Sequence, residues 1–319
     1  MDSFGKQVTQ KVHGEESRLT HKIECLKEMM SWVTLGLKNS IHHIYSKISN
    51  IDVNKVEEWA LYSLVFLYGI QSNGSDLQRE AKSLLQPFVC GIVGSIKASF
   101  CVDSRLPVTQ DIIKFYELSF DCNLMYGRLK YASMLYCIGQ YDQAADMLNH
   151  CESLLGPDVA HYCFCTGRSY FHQPETFKRK TLNTNTVELL KTSSTLCVKF
   201  CKHELRVVPE HLQFEMYRTQ TKNDRNERKN ELHIWMDMVV IDCVPFLYYL
   251  QYLVYSQKGN IPRRLLAMFN LIDYINQSVY AEVRKGKGDC VDSIPRRAKR
   301  SHGHSVTRAR PLLGVREQT

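Results

Sequence analysis

An all-α fold, mainly tetratricopeptide-like helix pairs with a short mixed or irregular segment between them, is what this sequence predicts. Three observations carry that expectation. Apolar residues recur at intervals of three and four along most of the chain, the mark of amphipathic helices. Glycines at Gly139 and Gly259 interrupt such runs where a tight helix-to-helix turn belongs. Stretches rich in aromatic and β-branched residues are few and short, chiefly Tyr162–Cys165 and Thr195–Phe200.

Residues 1–14 are polar and read as disordered. From Glu15 to Ile48, Leu19, Ile23, Leu26, Met30, Val33, Leu37, Ile41, Ile44 and Ile48 mark a long amphipathic helix, with a break near Gly36. Asn54 caps a second helix that runs through Ile70. Its apolar run, Trp59 to Ile70, is too short to span a bilayer, so no membrane partner is expected. After the turn at Ser72–Ser75, Asp76 starts a helix that Pro87 is expected to end near Gln86. Phe88–Phe100 is helical in pattern, weakened by Gly91 and Gly94. Pro107-Val108-Thr109 then opens a helix from Asp111 to about Leu124.

Met125 to Pro157 is the stretch the chain is organised around. Small residues at Ala132 and Ala144 let two helices approach closely, and Gly139 takes the turn between them. Tyr131, Leu135, Tyr141 and Leu148 fill the contact, and Gly156-Pro157 ends it. This is the grammar of one tetratricopeptide-type repeat, a helix pair of about 34 residues. Such a unit packs and recognises; it carries no chemistry.

Beyond Pro157 the pattern changes to short strands or extended crossings at Tyr162–Cys165 and Thr195–Phe200, then an extended Val207–Pro209, followed by the charged loop Thr219–Glu231. Helix returns at Pro245–Tyr255, turns at Gly259-Asn260, and its partner runs from Ile261 to Val283. This second pair echoes the first loosely. The expected divisions are therefore 1–14, 15–106, 107–160, 161–231, 232–283 and a basic tail, 284–319, read as disordered.

The 319 residues are 44% hydrophobic and 23% charged, as in ordinary soluble globular proteins. The net charge of +8 is concentrated in the tail, where ten Lys/Arg face three Asp/Glu. Arg284-Lys285 and the cluster Arg296, Arg297, Lys299 and Arg300 have the spacing of a two-part nuclear-import signal. The same residues suit weak, salt-dependent binding of nucleic acid, or a solvated terminus with no specific role. Twelve cysteines, mostly inside apolar helical patterns, and an N-terminus without an apolar leader segment point to a reducing compartment. The expected location is cytoplasmic, with the tail able to direct nuclear entry.

Two passages carry a resemblance to a known family: RLKYASMLYCIGQYDQAADML, and VVPEHLQFEMYR followed by MVVIDCVPFLYYLQYLVY. Residues 115–283 resemble the C-terminal tetratricopeptide-like helical extension of male-abnormal-twenty-one-like nucleotidyltransferases, the family of cyclic GMP–AMP synthase. The family's catalytic core needs a Gly-Ser turn after a strand and paired carboxylates that hold two metal ions. Here Gly74-Ser75 lies in a polar loop, Gly94-Ser95 is followed by only Asp103, and Asp237 and Asp242 cannot share a strand face. The resemblance thus implies the helical extension without the catalytic core. A diverged nucleic-acid-sensing relative of innate-immune type, binding through the tail, is the alternative it leaves open.

Two further patterns compete with structural explanations. His161-x-Cys163-x-Cys165 and Cys197-x3-Cys201-x-His203 contain six soft ligands, but only Cys197 and Cys201 have a spacing common in zinc sites. Cys163, Cys165, Cys197, Cys201 and His203 are metal candidates weighed against buried thiols of paired strands, which is the preferred reading. Tyr248, Tyr252 and Tyr255 form a helical stripe without interleaved basic residues, which suits a core face better than a base-stacking platform. No motif singles out a nucleophilic cysteine, so neither catalytic residues nor a cofactor are expected. The sequence therefore predicts a non-catalytic interaction module that takes a protein or peptide partner on the concave face of its helix pairs.

Overall fold

The computed structural model describes residues 75–121, 123–163, 170–172, 186–217 and 238–285, with isolated positions elsewhere. The helices expected at 15–48 and 54–70, the charged loop 219–231 and most of the tail lie outside these residues. The chain divides into two compact units, Met1–Tyr274 and Ile275–Thr319. The described part is mainly helical. Its elements are α1 (Asp76–Asp103), α2 (Gln110–Leu118), α3 (Tyr126–Cys137), α4 (Tyr141–Ser153), β1 (Ala160–Cys163), β2 (Tyr170–His172), α5 (Thr186–Ser193), β3 (Ser194–Leu196), β4 (Val198–Phe200), α6 (Glu210–Gln213), β5 (Val239–Ile241), α7 (Cys243–Gln257) and α8 (Ile261–Lys285). Tight 3-10 turns occupy Ser119–Asp121, Lys202–Val207 and Phe214–Tyr217.

α1 corrects the expected break at Pro87, because one helix runs through it. An internal proline costs about 3 kcal/mol. Each fully buried Leu, Ile, Val or Phe returns about 1.5–3 kcal/mol. Leu84, Phe88, Val89, Ile92, Val93 and Ile96 are all buried, so packing outweighs the proline several times over. The stretch from Lys82 to Asp103 is long and apolar enough to cross a membrane, and two thirds of its window (67%) is buried inside the fold. Gly91 and Gly94, which weaken the helical pattern in sequence, are points of close approach. A Cβ on Gly94 would stand 3.0 Å from Cβ of Phe115, and one on Gly91 would stand 3.1 Å from Cβ of Ser119.

α2 also ends earlier than expected. It stops at Leu118 and tightens into the 3-10 turn, where the Ser119 hydroxyl donates to the Tyr116 carbonyl at 2.5 Å. Asn123 then opens α3: its Oδ1 accepts from the backbone N–H of Met125 at 2.9 Å and of Tyr126 at 2.8 Å. That side chain satisfies donors that a helix start leaves orphaned.

α3 is the axis of the core, buried around most of its circumference and touching α1, α2, α4, α7 and the Lys202–Val207 turn. Ala132, Leu135, Ala144 and Leu148 are almost wholly buried between α3 and α4. Tyr131 stacks at 5.3 Å on Tyr116, and Tyr141 at 5.9 Å on Tyr136. The α3–α4 turn has Gly139 at φ +79°. Gly139 N–H bonds to the Tyr136 carbonyl at 3.1 Å and Gln140 N–H to that of Leu135 at 2.9 Å, the Schellman pattern. The α7–α8 turn repeats it. Gly259 sits at φ +66°, its N–H bonds to Ser256 at 3.2 Å, and Asn260 N–H bonds to Tyr255 at 3.0 Å.

α7 lies antiparallel along α4. Lys258 Nζ reaches Asp142 at 2.5 Å, Tyr255 Oη donates to Asn149 at 2.7 Å, and Gln251 Nε2 donates to Glu152 at 2.8 Å. Helices brought together from distant parts of the sequence are thus packed as neighbours.

The mixed segment forms two small sheets, of three and two strands. β1 pairs antiparallel with β2 (His161 opposite His172) and parallel with β3 (His161 opposite Thr195). β4 pairs antiparallel with β5, Lys199 opposite Val240. Thr195–Phe200, expected as one extended run, therefore switches sheets at Cys197. Val207–Pro209, expected as extended, is corrected at its first residue, since Val207 ends the 3-10 turn while Val208 and Pro209 are extended.

Candidate functional site

The most distinctive chemistry of the described residues gathers around the Lys202–Val207 turn. A 3-10 helix repeats every three residues, so Cys201, Glu204 and Val207 share one face. All three are buried. Glu204 forms an ion pair with Lys130 of α3, and both side chains are fully buried. The other Glu204 oxygen accepts the backbone N–H of Cys201 at 2.8 Å, capping the turn. Lys130 Nζ also lies 4.8 Å from the Phe200 ring and 5.4 Å from that of Tyr126. One helical turn along α3, Ser133 Oγ donates to the Val207 carbonyl at 2.7 Å.

A buried ion pair is costly to desolvate, and it holds only when geometry and surrounding hydrogen bonds are good. Here the aromatic rings face the ammonium and a backbone amide faces the carboxylate. The turn is therefore clamped to α3 at both ends. Burial, then the Glu204 charge, push the Cys201 thiol well above its ordinary range, so it behaves as an inert core thiol.

The outward residues of the turn line a cleft against α1. Ile96, Ser99, Phe100 and Asp103 form its α1 wall at helical spacing, while Lys202, His203, Leu205 and Arg206 form the other. Arg206 Nε donates to Asp103 Oδ1 at 2.6 Å, and its backbone N–H donates to Ser99 Oγ at 3.1 Å. The cleft encloses about 190 Å³. Pockets for whole small ligands run to about 300–1,000 Å³, so this one accommodates a single large side chain. Its lining is mixed: Ile96, Phe100 and Leu205 are apolar, and Ser99, Asp103, Lys202, His203 and Arg206 are polar.

The metal candidates do not converge here. His203 lines the cleft, whereas Cys197 is buried between β3 and β4, and Cys201 is buried beneath the turn. Cys163 ends β1, and Cys165 lies outside the described residues. His161 Nδ1 is within 2.8 Å of Thr195 Oγ1. Among the described residues no group of three or more His, Cys, Asp or Glu is set to hold a metal ion. Gly94-Ser95, set above against the Gly-Ser turn that the family's catalytic core needs, is mid-helix in α1, and Asp103 is engaged by Arg206. Arg284 and Lys285 end α8, while Arg296, Arg297, Lys299 and Arg300 lie outside the described residues.

The sequence did not single out Lys130, Glu204, Phe100 or Arg206. One signal was present: Lys130 falls four residues after Tyr126 and three before Ser133, on a face otherwise free of charge. No family model, no curated protein and no solved structure matches this chain.

Proposed function

We propose that this chain is a non-catalytic, tetratricopeptide-like interaction module, akin to the helical extension it resembles, and that the cleft between α1 and the 202–207 turn anchors a peptide. The observation that carries this reading is a cleft lined by apolar Ile96, Phe100 and Leu205 beside Lys202 and Arg206, whose one wall is clamped to the core by Lys130–Glu204 and Ser133–Val207. Preorganised walls lower the ordering cost of binding. The complementary ligand is an extended segment with one large apolar side chain, seated against Phe100 and Leu205, and acidic residues beside it to meet Lys202 and the outer guanidinium N–H groups of Arg206, whose Nε is held by Asp103.

The repeated Schellman turns and the stacking of α7 on α4 support the modular reading. The mid-helix position of Gly94-Ser95 and the engagement of Asp103 support the non-catalytic one.

Panning a displayed random-peptide library on the parent protein tests the proposal, with Phe100→Asp and Arg206→Glu as counter-screens. Peptides pairing an apolar anchor with Asp or Glu should be enriched and should lose affinity about tenfold or more on either variant. Enriched peptides without acidic residues, or equal binding to both variants, would overturn the cleft. Nucleotide product made from nucleoside triphosphates and Mg²⁺, above a heat-killed control, would overturn the non-catalytic assignment.

A further inference from the structure

α8 presents an apolar stripe to solvent. Ile261, Leu265, Leu266, Phe269 and Ile272 are 56%, 41%, 51%, 64% and 47% exposed, while Ala267 on the opposite side is buried. A surface helix normally turns polar residues outward, and contiguous apolar patches beyond a few hundred Å² mark interaction sites.

The fold contains its own precedent for what sits on such a stripe. Counted from the two turn glycines, Pro262, Leu265, Phe269 and Ile272 of α8 correspond to Asp142, Ala145, Asn149 and Glu152 of α4. Those α4 residues are the surface on which α7 lies. Asp142, Asn149 and Glu152 bond to Lys258, Tyr255 and Gln251, and Ala145 is buried. As the α4 numbers rise, the α7 numbers fall, so the helix received is antiparallel. On α8 the corresponding positions are apolar, and in solenoid proteins an end without a polar outer face is completed by a further element.

From this correspondence we infer that the α8 stripe is a self-association surface that receives α8 of a second copy, antiparallel, about a two-fold axis near Leu266. The stripe is self-complementary in that register. Ile261 of one copy falls opposite Ile272 of the other, and Leu265 falls opposite Phe269. A two-fold interface requires this reciprocity of the same patch on both copies. Each stripe offers roughly 500 Å², so two together bury about 1,000 Å², the lower bound for a specific interface. The dimer is accordingly of modest affinity, and it leaves the α1 cleft outside the contact.

Sedimentation velocity of the full chain across a concentration series tests this. A reversible monomer–dimer equilibrium is expected, with the dissociation constant raised about 30-fold or more by Leu265→Asp or Phe269→Asp. Both positions are exposed, so circular dichroism and the melting temperature of the variants should match the parent. Mixing gives the decisive arm: Ile261→Lys and Ile272→Glu should each self-associate poorly, yet pair with one another because Lys meets Glu in the antiparallel register. A strictly monomeric parent, or a dimer indifferent to Leu265→Asp and Phe269→Asp, would overturn the inference. A mixture no tighter than the separate variants would overturn the antiparallel register.

Discussion

Removing one member of the Lys130–Glu204 pair should be among the most damaging single changes this chain can suffer. Lys130→Met leaves the Glu204 carboxylate in the core with the Cys201 amide as its hydrogen-bonding partner among those described here. Glu204→Gln leaves the ammonium beside two aromatic rings with no counter-charge among the described residues. Stranding one charge of a buried pair costs about 3–5 kcal/mol. For a unit of this size, that lowers the melting temperature by roughly 6–20 °C. The double variant Lys130→Met/Glu204→Gln should recover most of the loss. It removes both charges while the Gln carbonyl still accepts from Cys201, leaving about 1–2 kcal/mol for the imperfectly satisfied amide. Urea unfolding of all four proteins gives the coupling directly, expected at 2 kcal/mol or more in favour of the pair. Two single variants within about 1 kcal/mol of the parent, or losses that simply add, would show that the charges are not the clamp described here.

Three more outcomes follow from the same geometry. Ala132→Leu and Ala144→Leu should each destabilise by about 1–3 kcal/mol in thermal melts, since both sites are fully buried; melting within a degree of the parent would contradict the packing. Burial pushes the Cys90 thiol up to about 11 and the Cys151 thiol up to about 12, from 9.0. The folded state therefore keeps protons that the unfolded chain releases. This stability is intact below about pH 9 and falls, by roughly 1.4 kcal/mol per pH unit per thiol, as pH rises towards the folded values. Urea midpoints that do not fall between about pH 8 and about pH 10 would contradict it. Finally, any nucleic-acid binding by the full chain should be mostly lost on deleting 284–319 and weaken steeply with salt, as filter binding at two ionic strengths will show; equal affinity without the tail would move the interaction into the helical body.

The parts of the fold legible in sequence are those whose cause is local. Gly139 and Gly259 mark their turns because only a residue without a Cβ takes positive φ freely, and Ala132 and Ala144 mark the close contact of the first pair. α1 was misjudged because the strongest local signal, Pro87, was outweighed by burial that only the tertiary structure supplies. The 3-10 turn at 202–207 was missed for a related reason. Its conformation is stabilised by Lys130 and Ser133, which lie 74 positions from their partners. The cleft went unseen because it joins Phe100 and Asp103 to Arg206, distant residues without a shared motif. His203, a metal candidate in the sequence, lines that cleft.

The two clamps on the turn span the same sequence interval, 74 residues each. Between their anchor points the chain makes α4, strands β1 to β4 and α5, then returns to the place where it left. The excursion behaves as an expansion joint. Doubling the length of a flexible loop costs only about 0.6 kcal/mol, well below the roughly 3–5 kcal/mol lost when one charge of the clamp is stranded. Length can therefore be added in the turn between α4 and β1, at exposed Pro157, without altering the seating of Glu204 against Lys130 or the shape of the cleft. A Gly/Ser insertion there should leave the melting temperature close to that of the parent, so variation in that interval is decoupled from the clamped turn.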